Sequence, residues 1–268
     1  MNYRVAVLGA TGLVGRTFLQ LLDERSFPAS EVVALASARS AGSDVAFADG
    51  SLEVREATPD AFEGVDLVLS SAGGSVSRAL LPEAAARGAV SVDNTSAFRM
   101  DPEVPLVVPE VNPHRITGAL PKGIIANPNC STIQLVVALE PLHEAFGLRR
   151  VLVSTYQSVS GAGQAAVDDL VTSLAGYGDD PHAHADAAAR STAFNAVPQI
   201  DTFEADAPGV GPFAGGGETR EEWKMRVETP KIMELDVPLH ATCVRVPVAS
   251  THGESVWLET ERPIDPQA

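Results

Sequence analysis

The chain has 268 residues, 45% of them hydrophobic, enough for one large or two modest cores. Its formal net charge of −16 repels nucleic acid and anionic membranes at long range and argues against both as partners. No apolar run reaches the ~18 residues of a membrane span, the N-terminus enters a strand with no basic and apolar leader, and two cysteines make no disulfide framework. A reducing cytoplasm is the expected location.

Tyr3-Arg4-Val5-Ala6-Val7-Leu8 reads as a buried strand, and Gly9-Ala10-Thr11-Gly12-Leu13-Val14-Gly15 follows at once. Val14, Phe18, Leu21 and Leu22 then recur at helical spacing. Strand, G-x-x-G-x-x-G, helix is a variant of the dinucleotide fingerprint, in which glycines let the backbone approach a pyrophosphate resting on the helix N-terminus. The expected cofactor contacts here are Gly9, Thr11, Gly12, Leu13, Val14 and Gly15; a glycine-rich turn without a ligand is the other reading. The next strand, Val32 to Ala36, ends in Ser37-Ala38-Arg39-Ser40. An NAD site usually places an acid at this turn, to hold the ribose 2′-hydroxyl. This chain offers an arginine near two hydroxyls, Ser37 and Ser40, which suits a 2′-phosphate because the guanidinium fork binds phosphate bidentately. The cofactor is therefore read as NADP, against an ordinary exposed loop arginine.

Ser43 to Ala48 and Ser51 to Arg55 flank Asp49-Gly50, a hairpin turn. The strand candidate Val65 to Leu69 runs into Ser70-Ser71-Ala72-Gly73-Gly74, a loop of small residues that lets a cofactor pass close to the backbone at Ser71 and Gly73. A helix over 76–87, containing Pro82, and a strand over 90–92 complete a βα alternation. The predicted fold is α/β, an N-terminal Rossmann-like doubly wound parallel sheet over residues 1–129.

The strand Ile124-Ile125-Ala126 leads into Asn127-Pro128-Asn129-Cys130-Ser131-Thr132, and the apolar stretch Ile133 to Leu139 leaves it. Cys130 thus stands at a strand-to-helix junction. The unpaired N–H groups of a helix start favour an anion, which makes thiolate available near neutral pH and can also hold an oxyanion or a phosphate. A small buried residue opening a core helix fits the same spacing. Beyond it a strand is expected over 151–159, a helix over 165–174, an Ala/Asp/His-rich surface stretch over 176–190, and strands over 242–248 and 255–260. These make a second, α+β domain over 130–268. His182 and His184 lie in that acidic stretch with no cysteine cluster and are read as solvated, so no metal site is expected.

Lysine is scarce: Lys122, Lys224 and Lys231 are the only three among 19 basic residues. An anionic substrate of so acidic a chain needs local positive charge, which draws attention to Lys224. Glu221 and Lys224 share a face if their segment is helical, although a surface ion pair is the ordinary meaning of that spacing. Arg245 sits in the mostly apolar run Thr242-Cys243-Val244-Arg245-Val246, where burial without a partner is costly. A substrate carboxylate or a structural salt bridge would each satisfy it. Histidine's reference pKa near neutral suits His252 to general acid/base work; a turn residue after a strand is the other reading. Cys243 is read as core.

The order and spacing of several runs together resemble the aspartate-semialdehyde dehydrogenase family along the whole chain. The runs are Gly9 to Gly15, Asp93-Asn94-Thr95-Ser96-Ala97-Phe98-Arg99, Pro109-Glu110-Val111-Asn112, Asn127 to Thr132, Tyr156-Gln157-Ser158-Val159-Ser160-Gly161-Ala162-Gly163, Glu221-Glu222-Trp223-Lys224, Arg245-Val246-Pro247-Val248 and His252. The resemblance implies NADPH-dependent reductive dephosphorylation of L-aspartyl 4-phosphate to L-aspartate 4-semialdehyde, in the synthesis of lysine through diaminopimelate and of threonine, methionine and isoleucine. It implies that Cys130 attacks the acyl phosphate to form a thioester, with His252 as acid/base and Gln157 binding and orienting the acyl group. By the same likeness Glu221 meets the substrate amino group and Arg245 its carboxylate. Lys224, Arg99 and Asn129 hold the phosphate, and Ser160 and Gly161 line the nicotinamide side. A homodimer formed through the second domain, with the sheet beginning at Val151 near the interface, is implied too.

Family members continue for several dozen residues past the point where this chain stops, in a segment that completes the catalytic domain's sheet and returns to the cofactor domain. The second domain is therefore expected to be C-terminally incomplete. Two further readings stand beside this one. N-acetyl-glutamyl-phosphate reductase would share the fold and nucleophile, but the Glu221/Lys224 and Arg245/His252 spacing favours the aspartyl substrate. A truncated NADP-binding paralogue without turnover is favoured by the short C-terminus and opposed by Cys130.

Overall fold

The computed structural model describes residues 2–179, 191–203 and 217–265; His182 and His184 lie outside them. Two compact units divide the chain, Met1–Pro128 and Asn129–Ala268.

In the first unit a seven-stranded sheet is built outward from β1 (Tyr3–Leu8). Val5 to Leu8 are apolar without alternation and are buried on both faces, as a central parallel strand requires. β2 (Ala29–Ala36) pairs with one side of β1 and β5 (Leu67–Ser70) with the other, both parallel. Strand order therefore reverses at β1, the switch point at whose carboxyl end a doubly wound sheet opens a crevice. β6 (Val90–Asp93) and β7 (Ile124–Ala126) extend the β5 side in parallel. β4 (Gly50–Glu56) extends the β2 side in parallel, and β3 (Asp44–Phe47) returns antiparallel at the edge. The hairpin turn falls one residue earlier than Asp49-Gly50: Gly50 already pairs with Phe47, and Ala48 takes the left-handed conformation at φ +47°. α1 (Leu13–Glu24) follows β1 and lays Leu19 and Leu22 on Val5, Val7 and Ala34. Each such side chain contributes roughly 1.5–3 kcal/mol. α2 (Gly74–Ala86) follows β5 and carries Pro82 within it.

In the second unit α3 (Cys130–Phe146), β8 (Leu148–Gln157), α4 (Gln164–Asp179), α5 (Arg220–Met233), β9 (Leu239–Arg245) and β10 (His252–Thr260) follow in order. β8 is the centre of a three-stranded sheet, parallel to β9 and antiparallel to β10. Strand alternation sends Val151, Val153, Thr155 and Gln157 inward, into a core shared with Leu135 and Leu139 of α3 and Met225 of α5. It turns Leu152 and Tyr156 outward, and Trp257 of β10, opposite Leu152, lies exposed beside them. β9 stops at Arg245, short of the expected Val248, ahead of Pro247, which has no N–H to donate to a ladder. β10 starts at His252, ahead of the expected Ser255, because His252 pairs with Gln157. Among the described residues no helix is long and apolar enough to cross a membrane.

Candidate active site

The first unit holds a cavity of about 670 Å³ at the carboxyl ends of β1 and β2. Gly9, Thr11, Gly12, Ser37, Arg39 and Ser71 line it. Gly9 has φ +90°, and a Cβ there would lie 2.9 Å from the backbone of Ser71 and Ala72, so only glycine allows the two turns to meet. α1 has no side-chain cap at Gly12 and no acidic residue in its first turn. A helix start left in that state is a site for an anion. The glycine turn and the uncapped helix fit the pyrophosphate of a dinucleotide, and Arg39 fits a further phosphate.

The second unit holds the cysteine. Asn129 caps α3: its Oδ1 accepts the N–H groups of Ser131 and Thr132 at 3.0 and 3.2 Å. This places Cys130 in the first turn, with its side chain exposed. Its Sγ lies 3.1 Å from Nε2 of His252. By contrast Cys243 is buried, and burial pushes its thiol up to about 12, which leaves it inert.

His252 is held from behind. The Ser158 N–H donates to Nδ1 at 3.0 Å. A backbone amide can only donate, so Nδ1 accepts and the ring proton sits on Nε2, facing the sulfur. The Thr251 carbonyl also lies 3.0 Å from Nδ1, so a proton moved to Nδ1 would exchange one backbone partner for the other. Thr251 reaches this position at φ +74°, rare for a β-branched residue. Burial lowers the His252 pKa and the Arg245 charge lowers it further, against the Thr251 carbonyl. Burial thus favours the uncharged imidazole.

Around this pair lies a charged network centred on Glu221 of α5. Glu221 Oε1 accepts from Asn129 Nδ2 at 2.8 Å and from Gln157 Nε2 at 2.9 Å, and Oε2 accepts from Lys224 Nζ at 3.0 Å. Burial opposes ionisation of Glu221, but Lys224 and the amide donors outweigh it and hold the carboxyl below its ordinary range. Lys224 also bridges to Asp201 at 3.1 Å, and burial fails to lower its pKa against the two carboxylates. Arg245 donates to the Ser158 carbonyl. A Cβ on Gly161 would come within 3.2 Å of Arg245 Nη1 and 3.9 Å of the His252 ring, and Ser160 bonds to Ser158 at 2.9 Å.

A family model described as semialdehyde dehydrogenase, NAD binding domain, matches residues 4–119, and one described as semialdehyde dehydrogenase, dimerisation domain, matches residues 139–268. The aspartate-semialdehyde dehydrogenase of Aquifex aeolicus is 48% identical over all of this chain and 76% of its own length. The chain belongs to the aspartate-semialdehyde dehydrogenase family. Among solved relatives, the Vibrio cholerae aspartate semialdehyde dehydrogenase II complexed with ASA matches with a TM-score of 0.89 at 43% identity, covering 100% of this chain and 77% of that one. The Candida albicans aspartate semialdehyde dehydrogenase with NADP matches at 0.71 and 26% identity, covering 99% and 74%. Membership makes the chain an oxidoreductase with an NAD(P)-binding domain and a dimerisation domain.

Within this family frame, Cys130, His252, Gln157, Asn129, Glu221, Lys224 and Arg245 fall in the second unit, linked by the contacts above. Arg99 is in the first unit, nearly buried, with Nη2 donating to the Asn94 carbonyl at 2.9 Å. Leu13, Val14 and Gly15 open α1 and Ser40 follows Arg39; none of them lines the cavity. Gly73, also off the cavity lining, is the N-cap residue ahead of α2, at φ +94°. Sequence reasoning did not find Ala57, Ser75 or Ala79 in the cavity wall, where small side chains carry no chemical signal. It also passed over Glu222 and Glu228. Thr219 and Glu222 form a capping box at the start of α5, and T-x-x-E ahead of a helix was a readable sign. Among the described residues no cluster could hold a metal ion.

Proposed function

We propose that the chain catalyses the NADP-linked reductive dephosphorylation of L-aspartyl 4-phosphate to L-aspartate 4-semialdehyde, a step toward lysine, threonine, methionine and isoleucine, in the cytoplasm. The observation that carries this is Cys130 Sγ in the first turn of α3, 3.1 Å from His252 Nε2 and beside the Asn129–Glu221–Lys224 network. Cys130 attacks the acyl carbon, phosphate leaves, and a thioester forms. NADPH, when bound, supplies the hydride. His252 protonates the resulting oxyanion and later takes that proton back, so that the C–S bond breaks and aldehyde leaves. Gln157 orients the acyl oxygen, Lys224 and Asn129 meet the phosphate, and Arg245 meets the substrate carboxylate. Arg99 joins the phosphate ligands by resemblance.

Glu221 bears on the choice among acyl phosphates. A carboxylate kept ionised suits a free ammonium group, whereas the N-acetylated amine of the glutamyl analogue carries no charge. The reverse reaction tests the reading. Semialdehyde with NADP should yield NADPH only when phosphate or arsenate is present, and NAD should be a poor substitute because Arg39 has no 2′-phosphate to hold. A rate independent of phosphate would mean oxidation to the free acid and would refute the acyl-phosphate chemistry.

The outward face of the second sheet supports a homodimer. Leu152, Tyr156 and Trp257 form an exposed apolar group on it, and a twofold contact would cover that group on both copies at once. Light scattering with size exclusion should give twice the chain mass. A stable monomer at micromolar concentration would be the contrary result.

A further inference from the structure

We propose that Glu228 is a positioning residue that holds the nucleophile's helix start against α5. This rests on Cys130 being the nucleophile. Glu228 is two turns along α5 from Glu221, and i to i+7 places both carboxyls on one helix face. Both reach the same residue. Glu221 takes the side-chain amide of Asn129, and Glu228 Oε2 accepts its backbone N–H at 2.6 Å. Glu228 is 1% exposed and Asn129 5% exposed, so water cannot replace either contact freely.

The remaining groups of Asn129 are used inside α3. Its Oδ1 takes the N–H groups of Ser131 and Thr132, and its carbonyl accepts the Ile133 N–H at 2.9 Å. Every polar group of the residue before Cys130 is thereby fixed, two of them by α5. The backbone at Asn129 cannot rotate without breaking a buried hydrogen bond, which costs more than an exposed one. The consequence is that Cys130 has a set position relative to Glu221 and Lys224, which α5 also carries. The contact Glu228 makes here is to the Asn129 N–H. It acts through the Asn129 backbone, and its reach matters more than its charge.

Two variants separate reach from charge. Glu228→Gln keeps the length and an acceptor oxygen; Glu228→Asp keeps the carboxyl but is one methylene short. Iodoacetamide alkylation of Cys130 in the whole chain, mapped by mass spectrometry, reads the thiol without substrate or cofactor. Glu228→Gln should retain most of the parent rate, while Glu228→Asp should slow alkylation about tenfold and lower kcat by up to ~10²-fold with little change in KM, as ångström-scale misplacement does. Parent-like behaviour of Glu228→Asp overturns the proposal, as do equal losses in both variants or a loss confined to Glu228→Gln. A lower melting temperature with an unchanged alkylation rate in the folded fraction overturns it too. A parent that alkylates but shows no phosphate-dependent turnover would sink the proposed reaction and leave the positioning role standing. A parent that turns over, with Glu228→Asp unaffected, would do the reverse.

Discussion

Replacing Cys130 with serine should lower phosphate-dependent turnover by about 10³-fold or more while leaving NADPH affinity within a few-fold. The helix start that favours a thiolate does little for serine, whose hydroxyl is a far weaker acid than a thiol. The variant would need a base, and His252 Nε2 lies 3.1 Å from the sulfur position. But its Nδ1 accepts the Ser158 N–H, so Nε2 points a proton, not a lone pair, at the hydroxyl. Forming the base would require losing that backbone bond in favour of the Thr251 carbonyl. Cofactor affinity should survive because the glycine turn and Arg39 belong to the first unit. Initial rates of semialdehyde-dependent NADPH formation, with NADPH fluorescence titration on the same preparation, check both halves. Turnover within about tenfold of the parent would remove Cys130 from its role.

What could be read from the sequence was local. The β1–glycine–α1 unit depends on residues within a dozen positions of each other, and glycine, apolar run and helical spacing all pointed one way. Cys130 could be placed at a helix start because the strand before it and the periodic stretch after it are adjacent in the chain. His252 shows the opposite case. Whether it lay in a turn or a strand depended on pairing with Gln157, a partner far away in sequence, and no local signal carries that. The second partner of Lys224, Asp201, and the hold of Glu228 on Asn129 were invisible for the same reason. Even the β3–β4 hairpin turn, expected at Asp49-Gly50, was displaced by one residue, because Gly50 pairs with Phe47 and Ala48 takes the left-handed position.

Gly15→Ala should cost both stability and cofactor affinity, and the reason is steric, not conformational. Gly15 lies in the first turn of α1, where alanine is the better helix former by up to ~1 kcal/mol; propensity alone predicts a gain. A Cβ at that position, however, would lie 2.1 Å from the Gly9 carbonyl oxygen and 2.8 Å from the Gly9 carbonyl carbon and the Ala10 Cα. All three are backbone atoms, so no side chain can swing aside. That carbonyl accepts the Gly12 N–H at 3.0 Å, and the N–H groups of Gly9 and Ala10 both bond to the Leu35 carbonyl. Relieving the clash therefore pulls the phosphate-facing turn away from β2. Overpacking of this kind costs roughly 1–3 kcal/mol and occasionally more, which exceeds the helix gain and should lower the melting temperature by several degrees. Gly12→Ala is the matched control. Its Cβ would sit 3.4 Å from the same oxygen at an unstrained φ of −77°, so it should melt with the parent yet bind NADPH more weakly, because the added methyl enters the cavity. Thermal melts and NADPH titrations of the two variants decide the matter. If Gly15→Ala melts with the parent, the close approach of α1 to β1 does not govern this turn.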